Sequence, residues 1–237
     1  MTNAFPTGNR EFYLTAPAPC PYLPGQRERK VFTFLGGEGA QALNAQLSQR
    51  GFRRSQNIAY LPACERCQAC RPVRVRVADF DERAWRRTIR RNADLVRTDA
   101  PPQVTTEQFG LLRSYLDARH SGGGMAGMTV LDYAQMVEQT PVDTEVREYR
   151  DAGGALLACA LTDRLEDGLS MVYSFFEPGA ARRSLGSYTI VEHVLHARAL
   201  GLPHVYLGYW VEGSPKMDYK RRFGPLEMLT REGWKPA

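Results

Sequence analysis

The chain of 237 residues is predicted to be an α+β protein in two domains, residues 1–98 and 99–237, the second built on a mostly antiparallel sheet with flanking helices. Three observations predict it. The runs TEVREYR, ALLACALTD and LSMVYSFFE follow one another with only the turns DAGG and RLEDG between them, the spacing of an antiparallel meander. Helical runs flank that meander on both sides. The stretch TDAPPQVT, from Thr98, breaks regular structure and separates this half from the one before it.

The elements follow in order. The first thirty residues, with APAPCPYLPGQRERK, read as an irregular arm that enters a strand at VFTFL. Residues 39–50 read as a helix with Gly51 at its C-terminal cap, followed by a short strand reaching Tyr60. RPVRVRVADF alternates Val with Arg, the period of a half-buried strand whose arginines share a face. Residues 83–97 place Arg83, Arg86, Arg87, Arg90 and Arg91 on one side of a helix, with Trp85, Ile89, Asn92 and Val96 opposite. After the break come a helix at EQFGLLRSYLDARH, a mobile loop at SGGGMAGM and a helix at VLDYAQMVEQ. Beyond the meander, GAARRSLGS leads into a helix from about Tyr188 to Leu200, closed by Gly201, and HVYLGYW reads as the final strand. Strands, a glycine-containing loop, a helix and another strand is the element order of an N-acyltransferase core of the acetyltransferase type.

Composition bounds the function. A hydrophobic content of 43% beside 24% charged residues is that of an ordinary globular protein. The longest apolar runs fall far short of the roughly 20 residues of a spanning helix, and the N-terminus lacks the pattern of a secretory signal. A cytoplasmic protein without a membrane segment is expected. The net charge of +5 is unevenly placed: Arg50–Arg97 holds thirteen arginines against five acids. Such a concentration suits a polyanionic partner, and the near absence of acids on the arginine helix favours nucleic-acid phosphates over a plain solvated face.

Five cysteines in a reducing compartment argue against disulfides. Cys64, Cys67 and Cys70 stand at three-residue steps, uncommon by chance, and Cys20 can complete a four-thiolate set for zinc or an iron–sulfur cluster; plain structural or redox-sensitive thiols are the alternative. Cys159, inside ALLACALT, reads as core. RRSLGS can offer helix N–H groups to a phosphate or oxyanion. Tyr188 stands where a second glycine of a coenzyme A loop belongs, so coenzyme A is not expected. His193 and His196 do not form HExxH, and no GxxxxGK[ST] loop for ATP is present.

Several blocks then carry a resemblance. CPYLPGQRERKVFT, GFRRSQNIAYLPACERCQACRPVRVRV, RRNADL, YSFFEPGAARRSLGS and HVYLGYWVEGSPKMDYKRRFGP, in that order from about Phe12 to Trp234, resemble the bacterial aspartate/glutamate leucyltransferases, short relatives of the arginyl-tRNA–protein transferases. The resemblance implies an N-terminal transferase domain, an acyltransferase-like C-terminal domain, and transfer of an amino acid from tRNA to a protein N-terminus. On that basis Leu-tRNA is the expected donor and proteins beginning with Asp or Glu the acceptors, with no cofactor needed for the chemistry. An arginyl donor, or a metal-containing RNA-binding module without catalysis, are the alternatives.

The site candidates follow from the same chemistry. Arg83, Arg86, Arg87, Arg90, Arg91 and Lys220 are assigned to tRNA. Arg71, Arg74 and Arg76 can grip an acidic side chain in bidentate fashion, with Arg183, Ser184 and Gly186 completing the substrate set. Tyr209, Glu212, Lys216 and Tyr219, in GYWVEGSPKMDYK, are the catalytic candidates, and the RSLG and KMxYK motifs of the family are both present.

Overall fold

The structure is a computed structural model that describes residues 10–119 and 124–237. The start of the predicted arm and the first three residues of the predicted SGGGMAGM loop lie outside the described residues. The chain begins β1 (Tyr13–Leu14), β2 (Ala18–Pro19), β3 (Arg27–Glu28), β4 (Lys30–Phe34), α1 (Ala40–Gln49), β5 (Arg53–Ser55), β6 (Ile58–Pro62) and β7 (Cys70–Arg76). It continues with α2 (Arg86–Arg91), β8 (Val96–Ala100), α3 (Thr106–Arg119), α4 (Val130–Glu138), β9 (Thr144–Arg150), β10 (Leu156–Leu165) and β11 (Gly168–Phe176). Last come α5 (Leu185–Ala199), β12 (His204–Val211), β13 (Leu226–Thr230) and β14 (Gly233–Pro236).

Two sheets hold all the strands except β2 and β3, which pair antiparallel with each other. The smaller has the order β1-β4-β6-β5, antiparallel throughout. The larger has eight strands in the order β14-β13-β7-β12-β11-β10-β9-β8, with β11/β12 its one parallel pair. The predicted meander is β9–β10–β11. Helix α5 packs Ile190, Val191, Val194 and Ala197 on one face of the sheet, against Val73, Val75, Leu169, Val205 and Leu207. Helices α3 and α4 pack Leu112, Leu116, Tyr133 and Val137 on the other face, against Val146, Cys159, Leu161 and Phe175. Cys159 is thus a core residue, 1% exposed. Among the described residues no helix is long and apolar enough to cross a membrane.

Helix α1 ends as its sequence predicts. Gly51 takes φ +87°, which glycine reaches without strain, and a side chain there would press into Pro72 and Leu229. The glycine therefore both ends the helix and lets β7 and β13 approach it.

Several elements differ from the sequence reading. The arginine helix does not run from 83 to 97: a 3-10 turn at Glu82–Trp85 leads into α2, which stops at Arg91. Asn92 stops it, because its buried amide donates to Thr88 O and Arg183 O at 2.9 Å each and so competes with the helical ladder. Val96 then lies in β8, 62% exposed at the sheet edge. Helix α5 begins at Leu185, three residues before Tyr188, so RSLGS forms its start. HVYLGYW is not the final strand, since β13 and β14 follow it. The arginines of β7 do not share a face: Arg71 lies on the side of Val73 and Val75, whereas Arg74 and Arg76 lie on the other. The predicted boundary at 98/99 falls inside β8, and β7 lies between β12 and β13. That boundary divides the sequence, and the large sheet runs across it.

Candidate active site

The parallel pair β11/β12 holds only over Gly168–Ser170 and His204–Tyr206. Beyond Ser170, β11 stays with β10 and β12 stays with β7, so the two strands part and leave a wedge. A parallel pair that ends mid-strand leaves carbonyls without ladder partners, and these need donors. Arg53, on β5, supplies them: its Nη2 donates to Met171 O at 2.9 Å and to Val172 O at 2.8 Å. The register of β12 shifts between Tyr206 and Gly208, where Gly208 has φ +75°. Any side chain on Gly208 would overlap the Arg53 guanidinium. A cation therefore sits at the point where the strands separate, seated on a glycine.

Tyr209, next along β12, is 4% exposed, and its hydroxyl lies 3.0 Å from both Gly51 O and Tyr60 O. Burial raises its pKa above the ordinary phenol value. It holds β12 against β6, and its proton is committed to carbonyls. Lys220, assigned from sequence to tRNA, does not reach solvent: it is 5% exposed and its Nζ donates to Tyr209 O at 2.6 Å. Burial and the nearby Arg53 push its amine well below the usual lysine range. Glu212 and Lys216 are exposed on the loop after β12, and Tyr219 is 43% exposed beside Phe223. In that loop the Ser214 hydroxyl is buried without a hydrogen-bond partner among the described residues.

The other predicted residues fall into distinct places. Arg74 is buried, donating to Glu227 at 2.7 Å and to the Tyr206 hydroxyl at 3.1 Å and lying 4.3 Å from the Trp234 ring centroid. This packing leaves it no free fork for a substrate. Arg76 pairs with Asp79 at 2.7 Å. Arg71 is half-buried and has no carboxylate partner among the described residues. Arg183 makes a bidentate pair with Asp94, both contacts 2.8 Å. Ser184 holds a left-handed conformation (φ 54°, ψ 45°) at the head of α5, and Gly186 lets that helix approach the Phe176 ring.

Arg83, Arg86, Arg87, Arg90 and Arg91 are all exposed, and among the described residues none has a carboxylate partner. Beneath them Trp85 stacks on Phe223, with centroids 4.6 Å apart and planes 3° apart, while Ile89 packs on the core. The arginine face is thus held outward by its apolar side.

Cys20, Cys64, Cys67 and Cys70 line one pocket together with Tyr22, Glu28, Lys30, Tyr60 and Tyr209. Burial pushes the Cys70 thiol up to about 12, and the other three cysteines act in the same direction. The donor chemistry fits a thiolate site. Among the described residues, however, no group of three or more His, Cys, Asp or Glu side chains is arranged to hold a metal ion. All five cysteines are free thiols.

Sequence reasoning missed Arg53, and a signal for it existed. An isolated glycine within the strand pattern HVYLGYW marks a bulge or a close approach by another group.

Helices on both faces of a large, mostly antiparallel sheet, a strand wedge holding the Arg53 guanidinium and a separate exposed arginine face define a mixed α+β protein with two distinct cationic sites. The chain belongs to the arginine-tRNA-protein transferase family: the model of the family's N terminus matches residues 18–91 and that of its C terminus residues 107–230. It is 60% identical to the aspartate/glutamate leucyltransferase of Parvibaculum lavamentivorans, over 99% of this chain and 98% of that protein. It is 58% identical to the protein of the same name from Azorhizobium caulinodans, over 94% of both chains. With that of Methylobacterium nodulans it shares 60% over 94% of this chain and 95% of the other. The chain is accordingly an aminoacyltransferase.

Proposed function

We propose that this enzyme transfers leucine from Leu-tRNA to the α-amino group of proteins that begin with Asp or Glu, and that the products are marked for N-end-rule degradation. The observation that carries the reading is the wedge between β11 and β12 with the Arg53 guanidinium inside it. In the reaction the acceptor nitrogen forms a bond to the ester carbonyl carbon, and the bond from that carbon to the ribose oxygen of the tRNA breaks. The proton lost by nitrogen ends on the ribose oxygen. The carbonyl oxygen carries negative charge in between, and a fixed guanidinium beside it lowers that barrier. An α-amino group has a pKa of about 8, so its deprotonation at neutral pH costs little. Exchange of ester for amide runs downhill and needs neither ATP nor coenzyme A.

In this reading the exposed Glu212, Lys216 and Tyr219, on the segment after β12, serve the acceptor: Glu212 relays the proton and Lys216 meets the acceptor's carboxylate. Arg71 is the second cation free for that carboxylate. The arginines of α2 serve the tRNA phosphates. Charged tRNA is cytoplasmic, and the reaction belongs there. Cys20, Cys64, Cys67 and Cys70 would hold zinc or an iron–sulfur cluster, a structural group that ties the arm to the sheet; no catalytic step runs through it. The test is to mix the purified protein with labelled Leu-tRNA or Arg-tRNA and peptides beginning with Asp, Glu or Ala. Leucine transfer to the acidic peptides alone is expected. Transfer of arginine without leucine would overturn the donor assignment.

A further inference from the structure

The smaller sheet directs Thr33, Arg54 and Ala59 inward, all buried. Its opposite face carries one residue from every strand in a single cross-strand row: Arg53 stands opposite Tyr60, Tyr60 opposite Phe32, and Phe32 opposite Tyr13. Directly opposed residues of antiparallel strands share a face, and strands lie about 4.8 Å apart, so the row spans about 14 Å. Its inner end is the guanidinium in the wedge. At its outer end Tyr13 is 41% exposed.

Aromatic rings line the way. Tyr13 stacks on Phe32 at 5.5 Å between centroids, and Phe34, 53% exposed, stands nearly perpendicular to both, its centroid 5.8 Å from each of theirs. The Tyr13 hydroxyl donates to Glu11, which fixes the ring. Next inward, the Lys30 ammonium lies 5.5 Å from the Tyr60 ring centroid while pairing with Glu28. Tyr60 in turn is 6.2 Å from Tyr209 at the wedge. Exposed rings set side by side mark an interaction surface, because water alone would not keep them there.

We propose that this row is the track for the single-stranded 3′ end of the donor tRNA. Its bases stack on Tyr13, Phe34 and Phe32, and its terminal ester passes Tyr60 to reach Arg53. This rests on the tRNA-donor reading above. The occupant is argued from chemistry: bases offer π-faces to rings, whereas the acceptor protein is distinguished by a carboxylate, which rings do not bind. Polarity agrees as well. The ester is the last group of the tRNA strand, and the cation stands at the last position of the row.

The test compares binding of uncharged tRNA with an intact 3′ end and tRNA trimmed of its single-stranded 3′ nucleotides. Wild-type protein should bind the intact form about tenfold or more tightly. Tyr13→Ala/Phe34→Ala protein should bind both forms alike, at the trimmed level, and Tyr13→Phe should restore the preference in a Phe34-containing chain. Both rings are exposed, so an unchanged melting temperature is the control. A double variant that keeps the preference overturns the track, and so does one that instead raises only the KM for acceptor peptide, which would make the face a peptide surface. Wild-type protein that binds intact and trimmed tRNA equally leaves the donor reading standing and removes the track. Wild-type protein that binds neither removes both.

Discussion

Arg54 and Asp163 meet two-pronged inside the protein, Nε to Oδ2 at 2.7 Å and Nη2 to Oδ1 at 2.6 Å, with 1% of either side chain exposed. The pair joins β5 of the smaller sheet to β10 of the larger, and the Thr144 hydroxyl lies 2.8 Å from Oδ1. Adjacent arginines thus do opposite work: Arg54 locks the sheets together and Arg53 enters the wedge. Removing one member leaves the other charge buried, so Asp163→Ala should cost about 3–5 kcal/mol in urea unfolding. The double change Arg54→Met/Asp163→Leu should cost less than either single change. Equal costs for single and double variants would show that the pair contributes by packing alone.

Gly208→Ala should evict the Arg53 guanidinium without removing its charge from the protein. The added methyl occupies the guanidinium's place, and φ +75° adds backbone strain. Misplacing a positioned group by about 1 Å costs on the order of 100-fold in rate, so kcat should fall by about that much while the salt dependence of tRNA binding stays unchanged. Full activity in Gly208→Ala would remove Arg53 from the reaction.

How far the sequence reveals this arrangement depends on the range of the interactions. Helix α1, the β9–β10–β11 meander and α5 are legible because periodicity and turn residues are local signals. The insertion of β7 between β12 and β13 is not, since pairing across more than a hundred residues leaves no mark in either segment. Asn92 ends α2 through a bond to Arg183 O, again a distant partner. The charged residues of LEMLTREGWKP mask the β13–β14 hairpin, whose exposed edge favours them. Of the site, the exposed arginines could be read from one-sided charge. Lys220 could not, because burial is decided by what packs over it.

Stability should fall as pH drops below the ordinary imidazole value. His193 is 0% exposed, with Nδ1 2.6 Å from Thr189 O and Nε2 2.8 Å from the Thr162 hydroxyl. Burial holds its pKa well below 6.5, and Arg147 and Arg97 oppose a further positive charge, although Glu192 and Tyr149 also face it. The unfolded chain takes up this proton near pH 6.5 and the folded one does not. Stability therefore declines from about pH 6.5 downward, by at most about 1.4 kcal/mol per pH unit for this group, until the folded imidazole itself protonates. Partly buried His196, lowered by burial in the same way, adds to the slope. Urea midpoints between pH 7.5 and 5.5 read it, and His193→Asn should flatten it; an unchanged slope in the variant would refute the assignment.

Arg86→Glu/Arg90→Glu should weaken tRNA binding and flatten its salt dependence. Each lost phosphate contact removes about 0.9 from the slope of log K against log salt for duplex nucleic acid, so the slope should drop by about 2. Both side chains are exposed, so folding should be little affected. An unchanged slope would return α2 to the status of a solvated face.

The four cysteines around one pocket make a prediction about the N-terminal arm. Cys20 reaches the pocket from the irregular arm, Cys64 and Cys67 from the loop after β6, and Cys70 from the first residue of β7. The arm's own strands β2 and β3 are two residues each, too short to hold it by backbone pairing alone. A thiolate-bound ion or cluster would fasten the arm to β7 and link its binding to local folding. Protein purified without oxygen should then carry zinc or show iron–sulfur absorbance. Cys67→Ala/Cys70→Ala should lose the metal, become more open to proteolysis between residues 10 and 30, and lose activity, while the core around α3, α4 and β9–β11 stays folded. Metal-free wild-type protein, together with a variant as stable and as active, would mean that the thiols only pack.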